Sequence, residues 1–310
     1  STGGTLSFAG GLSLGAEGAL DVTDSTFSVS QALNLSTASF TSSVLDLQAA
    51  TTLSSGGLVH FGSLTPNGNV LSLGSASTHL KLNDALTLNG VALETGAGSL
   101  TLSDTLSLSN SAALNSTGGT ITLGSGASVP SGTSISLPDT TLVLQNALSL
   151  TGATLKAKNT TFTTNANALT LSGGILEVEG TQDLSGVVPD NSTTLRLAAN
   201  STIDDNASLS VGTLDLANFA LTLNDQMAGL NVKQAVTLDA ATEQIISGNA
   251  DLSLNGGITV SNGTLSSTGG ALSSSSFSAG AAGKVNILGG SLILPSGGTA
   301  VSGAAFTTSN

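Results

Sequence analysis

Residues 80–108 read LKLNDALTLNGVALETGAGSLTLSDTLSL. Within them Leu80-Lys81-Leu82, Leu86-Thr87-Leu88, Leu100-Thr101-Leu102 and Leu106-Ser107-Leu108 set leucines two apart, with a hydroxyl or a lysine between them. A period of two puts both leucines on one face of an extended chain and the intervening side chain on the other. Asn89-Gly90 closes one triplet, and both residue types tolerate positive φ. The pattern predicts short strands joined by tight corners. It recurs at Ile121-Thr122-Leu123, Leu142-Val143-Leu144, Leu148-Ser149-Leu150 and Leu169-Thr170-Leu171, with Thr151-Gly152 and Ser172-Gly173 as further corners.

A longer period lies on top of the short one. Phe61, Leu80, Leu100, Ile121, Leu142 and Phe162 recur at steps of about 20 residues. Leu86, Leu106, Leu148 and Leu169 form a second column whose missing rung falls in 124–130, and Leu93, Leu114, Ile135, Leu155 and Ile175 form a third. Toward the C-terminus the columns are Leu252, Leu272, Leu292; Leu238, Ile258, Phe277; and Leu265, Val285, Phe306. Three short strands per coil of about 20 residues predict a parallel β-helix, or β-solenoid, of roughly 15 coils, near 70 Å long at about 4.8 Å per rung. Antiparallel sandwiches also use short alternating strands, but they give no reason for columns at this spacing in both halves of the chain. The expected organisation is one solenoid domain, 1–310, with irregular coils or loops near 182–205 and 224–249. In the second of these, Asp239 is placed to cap a helix of one or two turns that Gly248 would end.

Composition narrows the function. The chain has 310 residues, 39 of them Gly, with 8% charged residues, 3% aromatics, and no Cys, Trp or Tyr. Without cysteine there is no disulfide scaffold, cysteine nucleophile or thiolate metal site. Six Lys+Arg against 19 Asp+Glu give a net charge of −13, which leaves no basic surface for nucleic acid. No apolar run is long enough for a spanning helix, so membrane insertion is not expected. Low charge without cysteine fits an extracellular or cell-surface setting.

This Ser/Thr/Gly/Asn-rich, Leu-x-Leu-dense texture resembles bacterial β-helical surface proteins, namely autotransporter passengers and filamentous-haemagglutinin-like adhesins. The resemblance spans the chain in texture and period and implies a right-handed β-helix outside the cell, engaged in adhesion, aggregation or building a surface layer. Two features of those groups are missing. There is no C-terminal membrane-barrel stretch, and only Thr65-Pro66-Asn67-Gly68, which reads as a turn, echoes the secretion-domain signature of the haemagglutinin type.

A sugar-cleaving β-helix wants two carboxylates facing one groove. Glu177 and Glu179 share one side of a strand and Asp204-Asp205 are adjacent, but they read as solvated acids, with Arg196 and five lysines as the available cations. No Gly-x-Ser-x-Gly elbow accompanies the two histidines. His60 and His79, one coil apart, are expected to stack outward on neighbouring rungs beside Lys81, as surface residues and not as a metal site. The nonapeptide of calcium-loaded solenoids is absent. No catalytic, cofactor-binding or metal-binding residue is therefore expected, and no cofactor.

Asn34, Asn115, Asn159, Asn191, Asn200, Asn206 and Asn262 open glycosylation sequons at about the frequency that the abundance of hydroxyl residues produces by chance. More informative are the hydroxyls between bore leucines: Ser13, Ser72, Thr87, Thr101, Ser107, Thr122, Ser136, Ser149, Thr170 and Ser253. An uncharged hydroxyl-lined face suits glycans, a second copy of the chain, or ordered water. Ice wants a strict Thr-x-Thr ladder on one face, and the mixture with Lys81 and Val143 reads as too irregular for it. Ser1 to Ser13 and Val301 to Phe306 read as rungs without a capping helix, which predicts a segment of a longer solenoid or end-to-end filaments. The expected function is a non-enzymatic structural or adhesive element whose partners are copies of itself, end to end or side by side, or surface glycans. The alternative is a carbohydrate-binding or carbohydrate-cleaving β-helix.

Overall fold

The computed structural model describes residues 2–14, 20, 22–35, 38–125, 127–165, 168–204, 208–224, 229–295, 298–300 and 305–308. Of the positions singled out above, Ser1, Asp205, Asn206 and Val301 lie outside them. Forty short strands and no helix occur among the described residues, and neighbouring strands pair in parallel about 20 residues apart, making a β-solenoid of about 14 turns. The chain divides into two compact units, Ser1–Lys156 with Thr160–Leu169, and Ala157–Asn159 with Thr170–Asn310.

In the first unit one face is built from Thr2–Phe8, Thr23–Val29, Ala38–Leu47, Leu58–Thr65, His79–Leu82, Ser99–Leu102, Thr120–Leu123, Thr141–Leu144 and Thr161–Thr163, paired in that order. A second runs from Leu12–Ser13 through Leu71–Leu73, Ala92–Gly96 and Ala113–Ser116 to Ser134–Pro138. A third holds Leu86–Asn89, Leu106–Ser109, Ala127–Val129 and Leu148–Thr151, so 127–129 supplies the rung missing from the leucine column. In the second unit one face runs from Ile175–Gln182 through Thr194–Ile203, Ala220–Leu223, Gln244–Ile246 and Thr264–Ser267 to Lys284–Ile287. Another stacks Ser208–Val211, Gly229–Val232, Asp251–Leu254, Ala271–Ser274 and Ser291–Ile293, and a third contains Val236–Leu238, Ile258–Val260 and Phe277–Ala279.

Inward positions form columns that are mostly leucine, isoleucine and valine. Leu80, Leu100, Ile121, Leu142 and Phe162 are register partners rung by rung, as are Leu93, Leu114 and Ile135, and Leu252, Leu272 and Leu292. Two members of the expected columns sit one step along their strands. Phe61 pairs with Leu82 while Val59 takes Leu80, and Leu238 pairs with Val260 while Val236 takes Ile258. Both residues of such a triplet face inward, so a slip of two leaves inside and outside unchanged. Ile175 differs in kind: its neighbour Leu176 is buried and Ile175 points outward, half-buried. Near the start of the first unit the bore is filled by rings. Phe27 lies 4.7 Å from Phe40 and 5.4 Å from Phe61, and Phe40 lies 5.0 Å from Phe61.

Corners need something other than leucine. Backbone groups that leave the ladder at a bend must find partners. Buried hydroxyls provide them: Thr78 Oγ1 accepts from Ser55 N–H at 2.9 Å, Thr160 Oγ1 donates to Leu137 O at 2.6 Å, and Thr193 Oγ1 donates to Leu171 O at 3.0 Å. Each bond joins one rung to the next. Among the described residues no buried side-chain nitrogen or oxygen lacks a partner. At one corner Gly119 has φ +69°, and a Cβ there would lie 2.3 Å from Gly98 O, so only glycine lets these rungs approach. Thr65-Pro66-Asn67-Gly68 is the expected turn, closed by Asn69 N–H to Pro66 O at 2.9 Å, with positive φ at Asn67 and Gly68.

The stretch after Asp239 differs from expectation. The helix after Asp239 is not formed: the Glu243 carboxylate accepts from Asp239 N–H and Ala240 N–H, closing a turn that leads into strand Gln244–Ile246. Ile245 is needed in the bore, where it aligns with Leu221 and Leu265, and rung pairing outweighs the local capping signal. Met227 lies outside the described residues. The polar segment after Gln182 is mostly strand, since Val187–Pro189 and Thr194–Ile203 occupy it.

Inside and outside can be tested one residue apart. Leu102 is fully buried and Thr101 is half-buried on the outer side. Leu102→Asp is expected to cost at least about 3 kcal/mol by burying an unpaired charge, and Thr101→Asp within about 1 kcal/mol. Thermal melts of the two variants check this, and equal losses would refute the assignment.

Candidate functional site

Outward side chains stack as regularly as inward ones. On the first face of the first unit one outer column runs Ser39, His60, Lys81, Thr101, Thr122, Val143, Thr163. On the third face Thr87 pairs with Ser107 and Asn89 with Ser109, and Asn110 Nδ2 donates to Asn89 Oδ1 at 2.6 Å. In the second unit Ser210, Asn231, Ser253 and Ser273 align, and Ser253 and Ser273 hydroxyls meet at 3.1 Å. The ten hydroxyl residues named from sequence all face outward, but on different faces: Thr101 and Thr122 on the first, Ser13, Ser72 and Ser136 on the second, Thr87, Ser107 and Ser149 on the third.

The acids are engaged between rungs. Arg196 Nε and Nη2 donate to Glu177 Oε2 at 3.0 and 2.5 Å, across registered strands. Lys158 Nζ lies 2.6 Å from Glu179 Oε1. Glu177 and Glu179 do share one side of their strand, yet each faces a cation, not a groove. Glu94 Oε1 accepts from Asn115 Nδ2 at 2.8 Å, and Asp46 accepts from Gln48 and Asn67 amides at 2.6 and 2.7 Å. Asp190 gathers the largest set. It accepts from Ser192 Oγ at 2.6 Å, Ser172 Oγ and Ser192 N–H at 2.8 Å, Thr193 Oγ1 at 3.1 Å and Gly173 N–H at 3.3 Å. Its carboxyl is held well below the usual carboxylate range, by the Ser192 and then the Ser172 hydroxyls and with help from both backbone amides.

The histidines do not stack on each other. His60 registers with Lys81, and His79 with Leu58, because this coil is two residues longer than the spacing of the two histidines. His60 Nε2 donates to Asn83 Oδ1 at 2.7 Å, and His79 Nε2 lies 2.8 Å from Thr101 Oγ1. Burial, and next the Lys81 charge, lower the His79 pKa from 6.5. Among the described residues no three His, Asp or Glu side chains converge as a metal site would require, and no helix is long and apolar enough to cross a membrane.

Three groups of residues were not legible in the sequence for what they are. Thr120, Thr141 and Thr161 form a second outer column beside Thr101 and Thr122. The corner hydroxyls looked like surface serine and threonine. Ser208, Ser210, Asn231, Asp251 and Ser253 border a shallow depression of about 230 Å³ in the second unit. The signal for the threonines was the residue before each bore aliphatic, Thr120-Ile121, Thr141-Leu142 and Thr161-Phe162.

No protein-family model matches the chain, and no curated protein or solved structure matches it. The solenoid and its repeat therefore stand on the period of the sequence and the register of its strands.

Both shifted groups make stability pH-dependent, with the same sign. The unfolded chain protonates His79 near 6.5 and the folded chain only at lower pH, so this part of the stability is intact above 6.5 and lost as pH falls below it. Asp190 ionises more readily when folded, so its contribution is intact above 3.8 and lost as pH falls from there. In thermal melts across this range, His79→Gln should flatten the upper slope. Asp190→Asn should lower the melting temperature near neutrality and converge on the parent in acid. Parallel curves for parent and variants would contradict both assignments.

Proposed function

We propose that the chain is an extracellular structural and adhesive β-solenoid, not an enzyme, acting by contact of its outer faces with copies of itself or with surface glycans. The observation that carries this reading is the third face of the first unit, whose outward strand positions Thr87, Asn89, Ser107, Ser109, Ser149 and Thr151 are all uncharged in a chain of net charge −13. Such faces approach one another without the like-charge repulsion that the net charge would otherwise impose. Each hydroxyl exchanges a water partner for a protein or sugar partner at a net gain of about 0.5–1.5 kcal/mol, so attachment builds by repetition and not at one hot spot. The textural resemblance to autotransporter passengers and filamentous haemagglutinin supports the same reading, as does the absence of cysteine.

Carbohydrate binding in the second unit is favoured by the depression around Asp251. Hydroxyls, an amide and one carboxylate are the groups that bind sugar hydroxyls, while cleavage wants a second carboxylate and Asp251 is the sole acid lining it.

Sedimentation across a concentration range, with electron microscopy of the same samples, tests the main reading. The parent chain should associate as concentration rises, and Ser107→Lys with Ser149→Lys should weaken association without shifting the melting temperature. A parent that stays monomeric and attaches to no glycan-coated surface would sink it. Loss of glycan attachment in Asp251→Ala with self-association intact would favour the second reading.

A further inference from the structure

The first face of the first unit carries a regular two-column array of hydroxyl side chains. Four consecutive rungs present Ser99-x-Thr101, Thr120-x-Thr122, Thr141-x-Val143 and Thr161-x-Thr163, and the residue between each pair is buried Leu100, Ile121 or Leu142, or half-buried Phe162 in register with them. Thr101, Thr122, Val143 and Thr163 align as one column, and Thr120, Thr141 and Thr161 as the other, with no register shift between these rungs. Six of the eight outward positions are threonine and none is charged. Val143, the one apolar member, has the branched shape of threonine. In sequence the hydroxyls look irregular because those of several faces are mixed with Lys81 and Val143, and the column Thr120, Thr141, Thr161 stands outside the leucine triplets.

The geometry limits what can cover it. Neighbours are about 4.8 Å apart across rungs and about 6.8 Å apart along a strand, so the eight positions span roughly 14 by 7 Å between outermost side chains. Even with a margin, that is far below the ~800 Å² per partner of a stable protein interface, so this array by itself does not hold a second copy, which would have to cover much more of the outer surface. The absence of charge gives a polyanion or a cation nothing to hold. β-branching restricts χ1, so each threonine offers its methyl and hydroxyl in few orientations and the rows are ordered before binding. A ligand matched to such a surface repeats in two dimensions, is uncharged, and exchanges hydrogen bonds at both spacings. Hexagonal ice has oxygen rows with repeats close to these two. We propose that the threonine array at residues 99–163 binds the surface of ice. His79 and Lys81 end it on one side, where the ladder becomes basic. Four rungs make a small patch, so its effect is to halt recrystallisation of ice grains and not to depress freezing strongly.

The full chain, added to polycrystalline ice held just below melting, tests this. The parent should arrest grain growth at low concentration. Thr122→Lys and Thr141→Lys should each raise the required concentration by an order of magnitude or more, with melting temperature unchanged, since the same columns already accommodate Lys81 and His79. Ser149→Lys on the third face should behave as the parent. If either threonine variant melts early, Thr161→Lys, at an exposed position, takes its place. Grain growth with the parent equal to that in buffer overturns the proposal, as does equal activity of parent and well-folded threonine variants. Self-association is read separately by sedimentation, so failure here leaves the adhesive reading standing.

Discussion

Each rung of this solenoid is kept dry by the rungs beside it. A single coil carries two inward aliphatics per strand but is open above and below, and its strand amides have no partner within the coil. Stacking supplies both at once, a leucine onto Leu80 or Ile121 and a ladder bond for every exposed strand amide. Cohesion is therefore a sum of nearest-neighbour terms, and it sets the admissible sequence. Inward strand positions must be predominantly apolar from rung to rung. Outward positions are unconstrained by the core, and corners must satisfy backbone groups that the ladder leaves behind.

The corners explain a composition that is otherwise odd for a dry-centred protein. Hydroxyl residues serve two environments that look alike in sequence. On the outer faces they meet water, while Thr78, Thr140, Thr160 and Thr193 are buried where the chain leaves one strand for the next. A carbonyl such as Leu137 O or Leu171 O would carry a desolvation cost if unpaired, and a threonine from the next coil removes it. Asparagine does the same from outside: Asn83 Nδ2 reaches Thr41 O and Asn69 Nδ2 reaches Leu47 O, each one or two coils away. Asp190 is the ionised version of the device, tying Ser172 and Gly173 to Ser192 and Thr193.

What was legible from the residues follows from the same constraint. Alternation of leucine with hydroxyl at 80–108 has one physical reading, because a one-residue slip would turn every leucine to solvent. That is why the fold and the column of Leu80, Leu100, Ile121, Leu142 and Phe162 emerged correctly. Slips of two carry no such penalty, so Phe61 was placed against Leu80 when Val59 belongs there. With that error went the idea that His60 and His79 stack. The capping signal at Asp239 misled because local propensity is weak beside a strand that the bore requires at Ile245. The threonine array escaped notice since its second column stands before each bore residue, outside the triplets that first drew attention.

An outer face that contributes little to stability is free to be specialised. In the second unit Glu177–Arg196 and Glu179–Lys158 spend their charges on each other, and in the first unit Lys81 stands at the border of the threonine rungs, not among them. Charge is thus displaced from the regular arrays, which leaves surfaces whose only vocabulary is hydroxyl, amide and methyl. Weak groups of that kind achieve recognition by number and spacing, and spacing is the one property a stack of identical rungs supplies without further cost. The inside of the stack demands regularity for dryness, and the outside inherits that regularity as a template.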